Sequence, residues 1–500
     1  TIFMYYLRLT VCLSIFFFCF FDTNAQISVS NLQAEIYKKY ENLDIQTAKK
    51  LLQQKPQKQS FDIILENYAD VLELLCSENE ILYTKLNSNE KKRIEKLELF
   101  SKEVSYLFCK AEIKLQWAFI HLQYGHEWRA FQNIRQAFKL LKESEKLHPN
   151  FLPTQRSLGL LYSLLSSVPE NYQWALSLFG LEGDENKGIA YLQKVAQSND
   201  FYAKETQLLL ALTQTFILKQ QDEAIKTVEI YELDKKMLNE NANLLRSFVI
   251  SWIFLKTGNA KKILTHNLIS EQIPHPSPQT TQRCDMPLRL YVYAEACLLT
   301  NNLQNAQKYY ISYLTHLRGS LYLKDAYYKL LLISYLQKDM DKVQSYQALI
   351  STKGTTKTAA DRYAMRFAEK KQLPNQELLV VRLLTDGGEY ATATTYFYQI
   401  DSNRLKKNVE KVEYYYRIAR ILHKQKQYLS ALQYYQIVLS KPATETYFAP
   451  NAALQMAWIY ANDRKDTSKA KKYAQMVENY QNYDYENSIR MEAKKILRKL

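Results

Sequence analysis

The sequence predicts an all-α protein built of stacked, antiparallel helical hairpins, and three observations predict it. Only 10 Gly and 11 Pro occur in 500 residues, too few breakers for the many tight turns an all-β chain of this length needs. Hydrophobic residues make up 47%, ample for a buried core, and a chain this long amounts to several domains unless the architecture is an open-ended repeat. Tyrosine is abundant, at 39 residues. A ring that packs and a hydroxyl that stays wet suit a thin two-layer structure with little deep interior.

In chain order, the first segment reads as a targeting sequence. Arg8 precedes the thirteen mostly apolar residues Leu9 to Phe21, and Thr23-Asn24-Ala25 supplies small residues where a signal peptidase reads. This predicts a signal peptide over 1–25, cleavage after Ala25 and an exported, periplasmic protein. Thirteen residues fall short of the roughly 20 that span a bilayer as a helix. Beyond it, Cys76, Cys109, Cys284 and Cys297 match neither zinc spacing nor a disulfide scaffold. They read as small buried residues, a Cys76–Cys109 pair across a hairpin being the alternative. Residues 26–109 show helical periodicity without a clear repeat, and are expected to cap the stack with a polar outer face.

From residue 110 a period emerges. In YYRIARILHKQKQYLSALQYYQIVLSKP, Ala419 and Ala431 lie twelve apart, with Leu422, Tyr428 and Tyr435 at large positions and Pro442 closing the unit. The same twelve separates Ala294 from Ala306, followed by Tyr310, and Val381 from Ala393, with Gly388, Tyr390 and Phe397 in register. Ala457, Tyr460, Ala470 and Tyr473 repeat the pattern with one extra residue. Ala118, Gly125, Ala130, Ile134 and Ala137 fit in the N-terminal half, and Ser251, Phe254 and Gly258 fit more weakly. Small residues at this separation let two antiparallel helices approach closely.

These motifs resemble the tetratricopeptide-repeat superfamily over 110–269 and 288–500, in degenerate form that lacks the consensus Trp and often the Gly. The resemblance implies a right-handed superhelix of helical hairpins, an α-solenoid with a concave groove for peptides or proteins and no catalysis of its own. Between the two stretches, Ser270 to Pro287 holds four of the eleven prolines. Proline interrupts a helical stack, so 270–287 is expected to be an exposed linker between two halves.

One repeat breaks its own period. Leu158, Gly159 and Tyr162 match the first helix, and Gly188, Leu192 and Val195 the second, but the small positions lie 29 apart. An insert over 163–184 therefore separates the helices. It carries Pro169, Tyr172, Trp174, Leu178, Phe179 and Leu181, with Gly180 and Gly183 suited to ending a helix. A short, nearly all-round apolar helix is expected, buried by something: either it plugs the inner surface of the stack, or it anchors the protein to a lipid or partner. The run from Ser166 through the G-L-E-G-D segment to Gly188 is also similar to the eukaryotic tetratricopeptide family that contains the yeast inclusion-body-clearance protein. That similarity implies an interaction protein, sometimes membrane-associated.

Catalytic and cofactor patterns are absent from the sequence. Gly183 and Gly188 have the spacing of a phosphate-binding loop, but Ile189 and Ala190 stand where Lys and Ser or Thr belong. His121 and His126 are five apart, about 140° round a helix, so they do not form an i, i+4 metal pair. The reading is non-enzymatic, with no cofactor and no metal. The enzyme alternative is a cell-wall enzyme similar to soluble lytic transglycosylases, although the repeats occupy the region where its compact catalytic domain would lie.

Charge points to the partner. The net charge is +15, and residues 401–426 hold eight Lys or Arg against three acids. For an exported protein such a surface suits acidic peptides, envelope polymers or a membrane surface rather than nucleic acid. On the first helices of the repeats the groove stripe is expected to include Arg382, Tyr416, Arg420, His423 and Trp458, residue types that anchor interfaces. The function expected is an exported scaffold for protein–protein interaction in the cell envelope. The alternative is an envelope- or lipid-associated protein anchored through Tyr172, Trp174, Leu178 and Phe179.

Overall fold

The computed structural model describes residues 30–55, 58–168, 174, 176–232, 243–265, 286–441 and 446–500. The signal segment, Tyr172, Pro442 and nearly all of 270–287 lie outside the described residues. The chain is 78% helix, with no strand among the described residues, so the all-α expectation holds.

The helices of the N-terminal part are α1 (Asn31–Glu41), α2 (Ile45–Gln53), α3 (Ser60–Ser77), α4 (Glu80–Leu86), α5 (Asn89–Leu97), α6 (Tyr106–Gln123), α7 (Glu127–Leu147), α8 (Leu152–Ser166) and α9 (Glu185–Ala196). There follow α10 (Ala203–Leu212), α11 (Gln221–Glu232), α12 (Leu244–Lys256), α13 (Ala260–Thr265), α14 (Leu288–Leu299), α15 (Leu303–His316), α16 (Leu323–Leu336), α17 (Met340–Thr352) and α18 (Ala359–Lys370). The last are α19 (Gln376–Gly387), α20 (Tyr390–Tyr398), α21 (Asn408–Lys424), α22 (Tyr428–Ser440), α23 (Phe448–Asn462), α24 (Thr467–Met476) and α25 (Glu486–Lys499).

Their ends are written locally. Ser30 caps α1 and forms a reciprocal box with Gln33, and Asn375 caps α19 by accepting from Leu378 N. Such caps satisfy amides that the first helical turn leaves without partners. Gly388 ends α19 at φ 85°, a left-handed conformation glycine adopts without a Cβ penalty.

The chain divides into two compact units. One contains residues up to Thr257 with Lys262–Tyr293 and Tyr309–Leu321; the other contains Gly258–Lys261, Ala294–Lys308 and Tyr322–Leu500. The small residues of the period lie at the helix contacts: Ala118, Ala130, Ala294, Ala306, Val381, Ala393, Ala419, Ala431, Ala457 and Ala470 are all 0% exposed.

Within the first unit, α6 packs on α7, α7 on α8, α8 on α9 and α9 on α10. Nearly every residue of α3 is buried, and α1 reaches α3 and α12, with Tyr37 donating to Glu205 of α10 at 3.0 Å. Beneath Tyr37, Arg156 is 0% exposed and bonded to Glu112 and Glu205, which are themselves 0% and 1% exposed. Burial pushes the Glu112 carboxyl up.

The insert differs from expectation. Helix α8 continues through Ser166, so the break starts later than Ser163. Leu176 and Leu181 are buried, but Trp174 and Leu178 are 64% and 72% exposed and Phe179 is 38% exposed. Of the apolar residues described here, Leu176 and Leu181 turn inward and Trp174 and Leu178 turn to solvent. Gly159 and Gly188, although 29 apart in sequence, meet where α8 crosses α9.

Within the second unit, the helices form two layers. Helices α16 and α18 touch, as do α19 and α21, α21 and α23, and α23 and α25, while α17, α20, α22 and α24 pack against them from the other side.

Candidate functional site

The first of these two layers carries a line of tyrosines. Tyr328 of α16 meets Tyr363 of α18 at 5.6 Å, and Tyr363 stacks on Tyr485 at 5.7 Å. Tyr485 meets Tyr447 at 5.6 Å, and Tyr447 meets Tyr416 of α21 at 5.8 Å. Edge and stacked contacts of this kind add to simple burial. The segment before α25 is held across this line by Asp484, which pairs with Arg366 at 3.5 Å and Lys370 at 3.6 Å, both on α18. Tyr485 itself is left-handed, at φ 68°, a conformation strained for a side chain this bulky.

Beside the tyrosines lies a cavity of about 320 Å³ lined by Asp386, Tyr416, Arg417, Arg420, Tyr447, Asn451, Leu454, Tyr485, Ser488, Ile489 and Glu492. Its arginines differ in how they are held. Arg417 is 5% exposed, donates from Nε to Glu413 at 3.0 Å, and lies over the rings of Tyr416 and Phe448 at 5.5 Å and 5.4 Å. It is neutralised and packed. Arg420 is partly buried and donates to the neutral Gln455 Oε1 at 3.1 Å. Arg382, partly buried on α19 and influenced electrostatically by Tyr328, Tyr363, Tyr447 and Asp386, makes no hydrogen bond or ion pair among the described residues. The tyrosines do not neutralise these cations at neutral pH, since burial pushes the Tyr416 and Tyr485 hydroxyls well up and that of Tyr435 up to about 12.

The five stripe residues separate into two groups. Tyr416 and Arg420 line the cavity, and Arg382 shares its tyrosines and Asp386. His423 and Trp458 pack on each other instead, at 5.4 Å between rings, with Tyr428 against both. His423 also bonds Tyr435 through Nδ1 at 3.2 Å, and burial lowers its pKa to about 3. It is a neutral packing residue at physiological pH. Tyr416 is 2% exposed, so it contributes a wall more than a contact.

Sequence reasoning missed Asp386, Arg417, Asn451, Tyr447, Tyr485, Ser488 and Glu492. Arg417 is one helical turn before Arg420, and Asp386 one turn after Arg382, so helical spacing alone could have found both. Tyr485 carries no such signal, because a tertiary crossing brings it in.

A smaller cavity of about 200 Å³ in the first unit is lined by Tyr40, Lys49, Lys58, Glu66, Asp70 and Arg93 among others. Its charges satisfy one another: Arg93 pairs with Asp70 at 2.6 Å, Lys49 with Glu73 at 2.7 Å, and Lys58 with Glu66. It offers a ligand little. Cys76 and Cys109 form no disulfide with each other and are buried thiols. Comparison with protein-family models finds no match, and comparison with curated proteins finds none either.

Proposed function

We propose that the protein is an exported, non-enzymatic scaffold of tetratricopeptide-like hairpins in a right-handed solenoid, and that the Arg–Tyr cavity of its second unit holds an acidic segment of a partner protein. The observation that carries this reading is the contrast among three arginines. Arg417 is consumed by Glu413, whereas Arg382 and Arg420 have no carboxylate partner among the described residues. A guanidinium that gives the fold no ion pair is available to a ligand carboxylate, and its planar fork suits bidentate recognition.

The lining also selects the type of ligand. Asp386 and Glu492 face the same space as Arg420, so a bare anion meets repulsion as well as attraction. A peptide fits better, because its carboxylate can approach Arg420 and Arg382 while its amides donate to Asp386 and Glu492. The tyrosine walls supply apolar contact with little rotamer entropy to lose. The signal-like segment Leu9 to Ala25 supports the periplasmic part of this reading.

The test is crosslinking capture from an envelope fraction with the parent protein and Arg420→Glu. Loss of an interface Arg costs on the order of 2 kcal/mol, whereas within the fold Arg420 makes no ion pair among the described residues and donates to the neutral Gln455. Capture should therefore fall while helicity and melting temperature stay close to the parent. Equal capture by Arg420→Glu would remove the cavity from the binding surface.

A further inference from the structure

The first unit presents a cluster of large apolar side chains to solvent, independent of the Arg–Tyr cavity. Trp128 on the first turn of α7 is 63% exposed and stacks on Phe131 at 5.6 Å. Phe131 in turn meets Phe179 at 5.0 Å, edge to face. Leu178, beside Phe179, is 72% exposed, and Trp174, one turn earlier, is 64% exposed. Leaving this much apolar surface in water is unfavourable, and a contiguous patch of this kind marks an interaction surface.

The chemistry around the patch identifies its occupant. Arg129, Arg135 and Lys139 are exposed on the same helix. Arg135 lies 5.8 Å over the Phe179 ring and donates to the Phe179 carbonyl at 2.9 Å, which ties α7 to the insert and sets a cation at the edge of the apolar cluster. Tryptophan and phenylalanine with flanking basic residues is the composition that settles at a membrane interface, where rings enter the acyl boundary and cations meet anionic headgroups. A protein partner would be expected to find a pocket-like, desolvated centre. Here Trp128, Trp174 and Leu178 project, at 63%, 64% and 72% exposure, as insertion requires. No helix of the described residues is long and apolar enough to cross a membrane.

We infer that the face formed by Trp128, Trp174, Leu178 and Phe179 over the buried Phe131, with Arg129, Arg135 and Lys139 exposed on α7, docks onto the surface of an anionic lipid bilayer.

The experiment uses the full chain in flotation with phosphatidylglycerol–phosphatidylethanolamine vesicles and, separately, with phosphatidylcholine vesicles. The parent should float with the anionic vesicles, detach as salt is raised, and bind neutral vesicles far less. Its tryptophan emission should be quenched by brominated acyl chains. Leu178→Asp and Trp128→Asp should each lower partition about tenfold or more, since each exchanges a buried apolar side chain for a charge. Both sites are exposed, so circular dichroism should match the parent. Arg129→Glu with Lys139→Glu should weaken anionic binding and leave neutral binding unchanged. Failure of the parent to float, or unchanged partition of Leu178→Asp, would overturn the inference. A concentration-dependent dimer abolished by Leu178→Asp would also overturn it, assigning the face to a second copy of the chain.

Discussion

The contact between Gly159 and Gly188 turns the broken repeat into a measurable quantity. A Cβ added at Gly188 would lie 2.3 Å from Ser163 Oγ, 2.8 Å from Ser163 N and 2.9 Å from the Gly159 carbonyl oxygen. The hydroxyl can rotate away at the loss of its bond to Gly159 O, 2.9 Å long. The two backbone atoms cannot, so α8 and α9 must separate by several tenths of an ångström. Two effects oppose each other in Gly188→Ala. Helix propensity favours alanine by about 1 kcal/mol at most, and less in a first turn. Overpacking against backbone costs about 1 to 3 kcal/mol. The second wins, for a net loss of about 1 to 2 kcal/mol. Urea denaturation followed by circular dichroism should show a lowered midpoint, and Gly188→Leu should lower it further. Ala190→Leu, exposed on the same helix, should leave it nearly unchanged. Ser163→Ala in the Gly188→Ala background should restore part of the loss, because it relieves the hydroxyl contact and neither backbone contact. A Gly188→Ala variant as stable as the parent would refute the close crossing and the repeat reading of this segment.

Other expectations follow from the second unit. His423 titrates at about 3 when folded against 6.5 ordinarily, so between those values the unfolded chain binds a proton the folded one refuses. Stability is present above about pH 6.5 and is lost as pH falls toward 3; His423→Phe should flatten that slope in urea midpoints measured from pH 7 to 4. Glu413→Ala leaves Arg417 charged in a site where it is 5% exposed, and should cost about 3 kcal/mol. Replacing Glu413 and Arg417 together by Leu and Met should recover most of that in the same assay, and failure to recover would mean that the pair does more than neutralise itself.

How much of this was legible in the sequence depends on the range of the interaction. Ala419 with Ala431, or Ala118 with Ala130, announced helix pairs because both partners lie in one hairpin, where a spacing of twelve fixes the contact. The cap that Ser30 and Gln33 form is equally local, one turn apart, although it was not singled out from the sequence. The abundance of tyrosine found its structural counterpart in rings that link helix to helix, from Tyr328 to Tyr416. The direction in which the insert faces was not legible. Pattern reasoning judged it apolar all round, but which of Leu176, Leu178, Phe179 and Leu181 turn inward depends on Phe131 of α7, 48 residues from Phe179. Likewise Tyr485 enters the cavity because Asp484 pairs with Arg366 and Lys370, more than a hundred residues earlier in the chain.

Three arginines, Arg417 and Arg420 in the cavity lining and Arg382 beside the same tyrosines and Asp386, show what spacing leaves undecided. Arg382 sits on α19 and Arg417 and Arg420 on α21; the stripe read from the sequence took in the first and last and left out Arg417. Packing separates them. Arg417 has what a structural arginine requires: a carboxylate four residues away on its own helix, two aromatic faces and little contact with water. A buried charge so compensated adds little net stability, yet removing its partner is costly. Arg420 has an amide partner, and Arg382 has none among the described residues. Each keeps a positive charge that no carboxylate of the described residues meets at ion-pair distance, although Asp386 acts on both from further off, in a partly enclosed space where water screens it less than at an open surface. A cation held there, within a wall of tyrosines, acts on whatever enters the cavity.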